Sequence, residues 1–185
     1  MPKKLTLLVL HCTATPEGRP VGPDQIRDWH LSPAPQPNGK LLYMGKLYNS
    51  DAELPKEVQG KRGRGWKQVG YTDMILLSGV PVRLVANNED GVVDAWEITN
   101  GAVGVNYTAR HIVYVGGTDK KGAAKDTRNK EQLLTMTSYV RNFISKHPNV
   151  RVAGHNQFAS KACPSFDVPA WLKSIGVADK NIYKP

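Results

Sequence analysis

The sequence predicts an α/β fold: one domain with a central mixed β-sheet flanked by helices and a long insertion after the first helix. Three observations predict it. The run Leu5 to Leu10 is apolar except for Thr6, as expected of a strand buried on both faces. A second such run, "HIVYVGG" at 111–117, lies far along the chain and ends in a glycine turn. Between and after these runs, apolar residues recur at helical spacing, so helices are available to cover the sheet. At 185 residues and 40% hydrophobic content, the chain can bury one substantial core, and residues 1–185 are expected to form a single domain.

Taken in order, "LTLLVLHC" (5–12) is the first strand. "GPDQIRDWHL" (22–31) has Pro23 where a first helical turn tolerates it and Ile26, Trp29 and His30 on one face, which predicts a short helix. Residues 32–68 are rich in Pro and Gly and lack a sustained period. A connection of that length is usually functional, so it reads as an insertion holding a small hairpin around Leu41 to Tyr48. Strand patterns return at 71–77, 80–86 and 92–98, with "NNEDG" as a turn. In 129–147, Leu133, Met136, Val140 and Phe143 or Ile144 form a helical stripe with Asn129 as its cap. "VRVAG" (150–154) is a short strand, and Asp167 with Pro169 opens a closing helix.

The formal charge of +9 favours a polyanionic partner such as nucleic acid, lipid headgroups or an acidic cell wall. No groove-reading motif accompanies the charge, and no basic run is interleaved with aromatics, so specific nucleic-acid binding is not expected. Two cysteines do not make a disulfide framework. The apolar start is too short for a signal peptide, and no window has the length of a transmembrane helix. A monomer without membrane insertion is the expectation.

"AGHNQFASKACPSFD" (153–167) sets His155, Lys161 and Cys163 within nine positions. Two of these are ligands for a borderline-soft metal, and a site needs a third. Among the five histidines, His147 suits a helix end, His30 an apolar helix face, and His111 has no chemical partner in the sequence. His11 ends a buried strand, where sheet proteins place reactive groups. Strand alternation puts it on one face with Thr13 and sends Cys12 to the other, where Cys12 reads as a core residue. His11, His155 and Cys163 would leave a fourth position open, the pattern of a catalytic zinc centre. The alternative is two packed histidines and an ordinary small apolar cysteine.

"LVLHCTAT", "IRDWH", "VGY", "GVN" and "GHNQFASKACPSFD" occur in the order in which the zinc-dependent N-acetylmuramoyl-L-alanine amidases carry such motifs. The chain resembles that family, which includes phage lysozyme-type amidases and peptidoglycan recognition proteins, over nearly its whole length outside 32–68. The resemblance implies Zn2+ held by His11, His155 and Cys163, with Tyr71 and Lys161 assisting catalysis. It implies hydrolysis of the amide between N-acetylmuramic acid and the L-alanine of the stem peptide, with peptidoglycan or muropeptides as partner. Asn106 and Thr13 are the expected substrate contacts, although Asn106 could instead satisfy a turn.

The chain departs from the family pattern at Thr72 and Gly101, where the family commonly has histidines; both departures bear on substrate contacts. Without a visible signal peptide, an enzyme of this kind suits a phage or prophage endolysin, made in the cytoplasm and acting on the wall after release. An intracellular muropeptide-recycling amidase and a non-catalytic peptidoglycan-binding module are the alternatives, although such modules often lack the cysteine that this chain keeps. The insertion carries seven basic residues against three acidic ones, a net +4, and its ends flank the expected cleft, so it reads either as a basic flap or as a solvated loop.

Overall fold

The computed structural model describes residues 1–185. Five strands form the central sheet: β1 (Leu7–Cys12), β2 (Asp73–Ile75), β3 (Pro81–Arg83), β4 (Ala109–Tyr114) and β5 (Arg151–Gly154). They lie in the order β5-β1-β4-β2-β3, parallel throughout except for the antiparallel edge strand β3. Every residue of β1 and β4 is buried, as central parallel strands covered on both faces require.

Helix α1 (Pro23–Leu31) covers one face through Ile26, which packs with Met74 and Val113. Helices α2 (Lys130–Lys146) and α3 (Val168–Ser174) cover the other, where Met136, Val140, Val168 and Leu172 meet Leu8, Leu10 and Ile112. The start of α2 is fixed by a capping box: Asn129 accepts from the Gln132 backbone N–H while the Gln132 side chain accepts from the Asn129 N–H.

Several predicted strands are shorter than their sequence patterns. The 71–77 pattern forms a strand only at Asp73–Ile75, and 80–86 only at Pro81–Arg83. The 92–98 prediction needs the larger correction. Only Val92–Val93 is extended, paired with Lys3–Lys4 outside the central sheet. The buried Glu97 carboxylate accepts the backbone N–H groups of Asn88 and Asp94, so this stretch wraps around a side chain instead of joining a ladder.

The insertion is ordered. Ala34–Pro35, Leu41–Tyr43 and Lys46–Tyr48 make a small antiparallel sheet. Its hairpin turns at Met44 and Gly45, both at positive φ, the conformation whose twist matches the flanking strands. The returning segment is then stitched along the end of α1. Arg64 N–H donates to Trp29 O and Trp66 N–H to His30 O, both at 3.0 Å, while Gly65 N–H donates to Ser32 O at 2.8 Å. Two of these acceptors are last-turn carbonyls with no partner inside the helix, so the insertion completes the helix end.

Candidate metal centre and cleft

His11 lies one residue from the end of β1 and is 1% exposed. Its Nδ1 is 3.7 Å from the sulfur of Cys163. His155 follows β5 directly, and its ring centre is 4.6 Å from that of His11. β5 pairs with β1, so the two histidines leave adjacent parallel strands at one end of the sheet. Gly154 permits the exit: a Cβ there would come within 2.9 Å of a Val168 methyl and 3.0 Å of Pro164.

Cys163 arrives on the loop after His155, which is pinned at two points. Asn156 N–H donates to Cys163 O at 2.7 Å, and the buried Tyr114 hydroxyl donates to Pro164 O at 2.8 Å. The Cys163 sulfur accepts from Cys12 N–H at 3.3 Å. Cys12 packs in the core behind the sheet, as alternation predicts, and its backbone reaches the Cys163 sulfur.

The ligand-capable atoms of His11, His155 and Cys163 all lie within 4.8 Å of one another. Tetrahedral zinc with Zn–N near 2.1 Å and Zn–S near 2.3 Å would set its ligand atoms about 3.5 Å apart, so the cluster fits after small side-chain adjustments. Burial, reinforced by the neighbouring His111, holds the His11 imidazole neutral well below its usual titration range. Burial and then Lys161 lower His155 in the same direction. Both rings are therefore available as neutral donors at physiological pH. The adjoining Cys12 thiol and burial push ionisation of Cys163 upward, an effect that a bound cation opposes by stabilising the thiolate.

An open cleft of about 520 Å³, lined by His155 and Cys163 of this cluster, is roomy enough for a segment of a larger substrate. Tyr71 stands in its wall with its ring 5.1 Å from that of His11. Burial raises the Tyr71 phenol, with the two cysteine sulfurs adding to the effect, so it remains a hydroxyl donor. Lys161 is exposed at the rim.

Thr13 lines the cleft, but its hydroxyl is engaged with Thr15 at 2.7 Å and accepts Gly116 N–H at 2.9 Å. Asn106 is absent from the lining residues. Its side-chain oxygen accepts Ala102 N–H at 2.8 Å and closes a turn. Thr72 is buried and accepts His111 N–H, which places it in the sheet and out of the cleft.

Sequence reasoning gave His30 to the core, and it is indeed buried, with Nδ1 accepting Gly70 N–H at 3.1 Å. It also forms part of the cleft wall, packed between Trp66 and Tyr71. Burial and then Arg64 lower it to about 4. The insertion adds Arg62 and Arg64 to the same wall. His111, which lacked a partner in the sequence, contacts His11. Pairing the two apolar strands in parallel would have revealed it, because His11 pairs with Val113 and His111 with Val9, all on one face. A separate cavity lined by Asp73, Arg83, Glu89 and Lys146 has its acids already paired with those bases.

No protein-family model matches the chain. The endolysins of Enterobacteria phage K11 and Escherichia phage T7 are each 25% identical to it, over 89% of this chain and 83% of theirs. Among solved structures, the N-acetylmuramoyl-L-alanine amidase LysC from Clostridium intestinale matches with a TM-score of 0.59 at 17% identity, over 95% of this chain and 88% of LysC. Wild-type Drosophila PGRP-LB matches with a TM-score of 0.56 at 16% identity, over 96% of this chain and 86% of that protein. A mutant of PGRP-LB in complex with tracheal cytotoxin matches with a TM-score of 0.54. By fold, the chain is similar to N-acetylmuramoyl-L-alanine amidases and peptidoglycan recognition proteins.

Proposed function

We propose that this protein is a peptidoglycan amidase of the phage endolysin type, using zinc held by His11, His155 and Cys163 to cleave the amide between N-acetylmuramic acid and L-alanine. The observation that carries the reading is the convergence of those three donors beside an open cleft that His155 and Cys163 line. The endolysin relatives and the amidase fold support it. A purely binding module has no need of the cysteine donor, and its retention favours the enzyme.

When bound, zinc supplies Lewis-acid activation of water and of the amide carbonyl. The remaining chemistry belongs to the chain. Lys161 at the rim donates to the oxygen on which negative charge develops, and the Tyr71 hydroxyl donates from the cleft wall. His11 and His155, neutral by burial, stay free of competing protons. Water adds across the amide, leaving a lactyl carboxylate on the sugar and a free amine on the L-alanine.

The test is product analysis of purified sacculi by mass spectrometry, with zinc content measured on the same preparation. The expected result is stem peptides with a free N-terminal L-alanine and about one zinc per chain, with activity lost to a chelator and restored by zinc. Cleavage at another bond, or full activity in a zinc-free preparation, would refute the reading. Activity on soluble muropeptides without any on sacculi would favour a recycling enzyme over an endolysin.

In the same reading, the insertion's return segment acts as a basic wall toward an anionic glycan-peptide. Arg64 is exposed, lines the cleft and lies 5.1 Å over the Trp66 ring. Arg64→Gln is expected to raise KM on sacculi several-fold and to flatten its dependence on salt, because the lost attraction is one that salt screens. An unchanged KM across a salt series would make Arg64 an ordinary solvated side chain.

A further inference from the structure

His11 has two ring nitrogens, and both are committed. Nδ1 faces the Cys163 sulfur at 3.7 Å, on the side where the three donors converge. Nε2 lies 3.0 Å from His111 Nδ1 in a buried contact. We infer that His111 is a positioning residue for the metal centre: its Nδ1 accepts the Nε2–H of His11, fixing the tautomer that leaves His11 Nδ1 bare toward Cys163 and His155. This rests on the proposal that the three donors hold zinc.

The direction of the hydrogen bond follows from the donor set. If His111 donated instead, neutral His11 would carry its proton on Nδ1, and that nitrogen could not ligate. A ligating imidazole is commonly held in this way through its second nitrogen, usually by a carboxylate, a carbonyl or water. Here an imidazole fills the place.

The surroundings fit a ring held for one contact. His111 is fully buried, and its other nitrogen, Nε2, has no hydrogen-bond partner, so the contact with His11 is the ring's single polar engagement. Its backbone is held on both sides by Thr72, which donates its N–H to His111 O at 2.8 Å and accepts His111 N–H on its hydroxyl at 3.2 Å. Gly101 supplies the space: a Cβ at that position would overlap the His111 ring at Nδ1 and press on Gly70 O. The departure from the family pattern at Gly101 and the histidine at 111 are thus one feature. A side chain at 101 and an imidazole at 111 cannot both occupy this volume.

Zinc affinity, measured by competition with a chromophoric chelator, separates this role from simple core filling. Wild-type protein should bind zinc tightly. His111→Leu, which keeps the volume and removes the acceptor, should bind about 10- to 100-fold more weakly while retaining its far-UV circular dichroism. His111→Asn, whose side-chain oxygen can accept near the Nδ1 position, should recover most of the loss. Equal affinity in wild type and His111→Leu, or no recovery in His111→Asn, would overturn the inference. Failure of the wild type to bind zinc would instead overturn the zinc reading, and this inference with it.

Nitrogen-15 NMR of the imidazoles in wild-type protein, metal-free and zinc-loaded, gives a second readout that needs no variant. Protons on Nε2 of both His11 and His111 are expected. A proton on His111 Nδ1 would overturn the assignment even if His111→Leu failed to fold.

Discussion

Cys163→Ser is expected to lose zinc and, with it, amidase activity to the limit of detection, whereas Cys12→Ser should retain most of both. The two thiols are near neighbours, yet they stand in different relations to the site. Cys163 places its sulfur 3.7 Å from His11 Nδ1, and Cys12 turns its own into the core behind the sheet. A serine hydroxyl is a far poorer zinc ligand than a thiolate, and two imidazoles alone do not hold the ion. Metal analysis beside turnover on sacculi checks the pair of variants. Comparable loss in both would mean that the two sulfurs share the metal, and wild-type zinc content in Cys163→Ser would remove the cysteine from the ligand set.

The second large effect concerns charge development on the substrate. Lys161→Ala and Tyr71→Phe are each expected to lower kcat/KM by roughly a hundredfold or more with zinc content unchanged. Both side chains line the cleft with His155 and Cys163, and neither contributes an atom to the donor cluster. Burial keeps Tyr71 in its hydroxyl form, so removing the oxygen removes a donor without removing a charge. Near-wild-type turnover in both variants would leave the metal and its water sufficient by themselves. Loss of zinc in both would make them supports of the site.

What was legible in the sequence followed from short-range regularities. The buried strand that carries His11, the helix from 130 to 146 and its Asn129 cap each declare themselves within a few residues. The clustering of His11, His155 and Cys163 was legible through motif order, and the strand that delivers His155 lies beside the one that delivers His11.

What was missed depends on pairing between distant segments. His111 looked partnerless because its partner lies a hundred residues away on the neighbouring strand. The 92–98 prediction failed because Glu97 turns inward to accept backbone N–H groups. Asn106 was weighed between a substrate contact and a turn, and its side-chain oxygen accepts Ala102 N–H within a local turn. The cleft wall built by Arg62 and Arg64 could not be read from a stretch without a period, since α1 imposes its order from outside.

That seam between the insertion and α1 divides the insertion into parts with unequal tolerance. The wall hangs from helix carbonyls at Trp29 and His30, and the excursion from 36 to 60 lies outside those bonds. The excursion's outer turn, at Asn38 and Gly39, is exposed, and a Cβ on Gly39 would meet nothing within 4 Å. Residues can be inserted there while the cleft keeps its shape, although Gly39 itself, at a φ of +77°, favours glycine. Gly63 has no such freedom, because a Cβ would press on the carbonyls of Asp28, Trp29 and Ser32. The tip is thus the natural point at which to graft a targeting peptide or a fluorophore, and the seam is where a single methyl group would be felt in the active cleft.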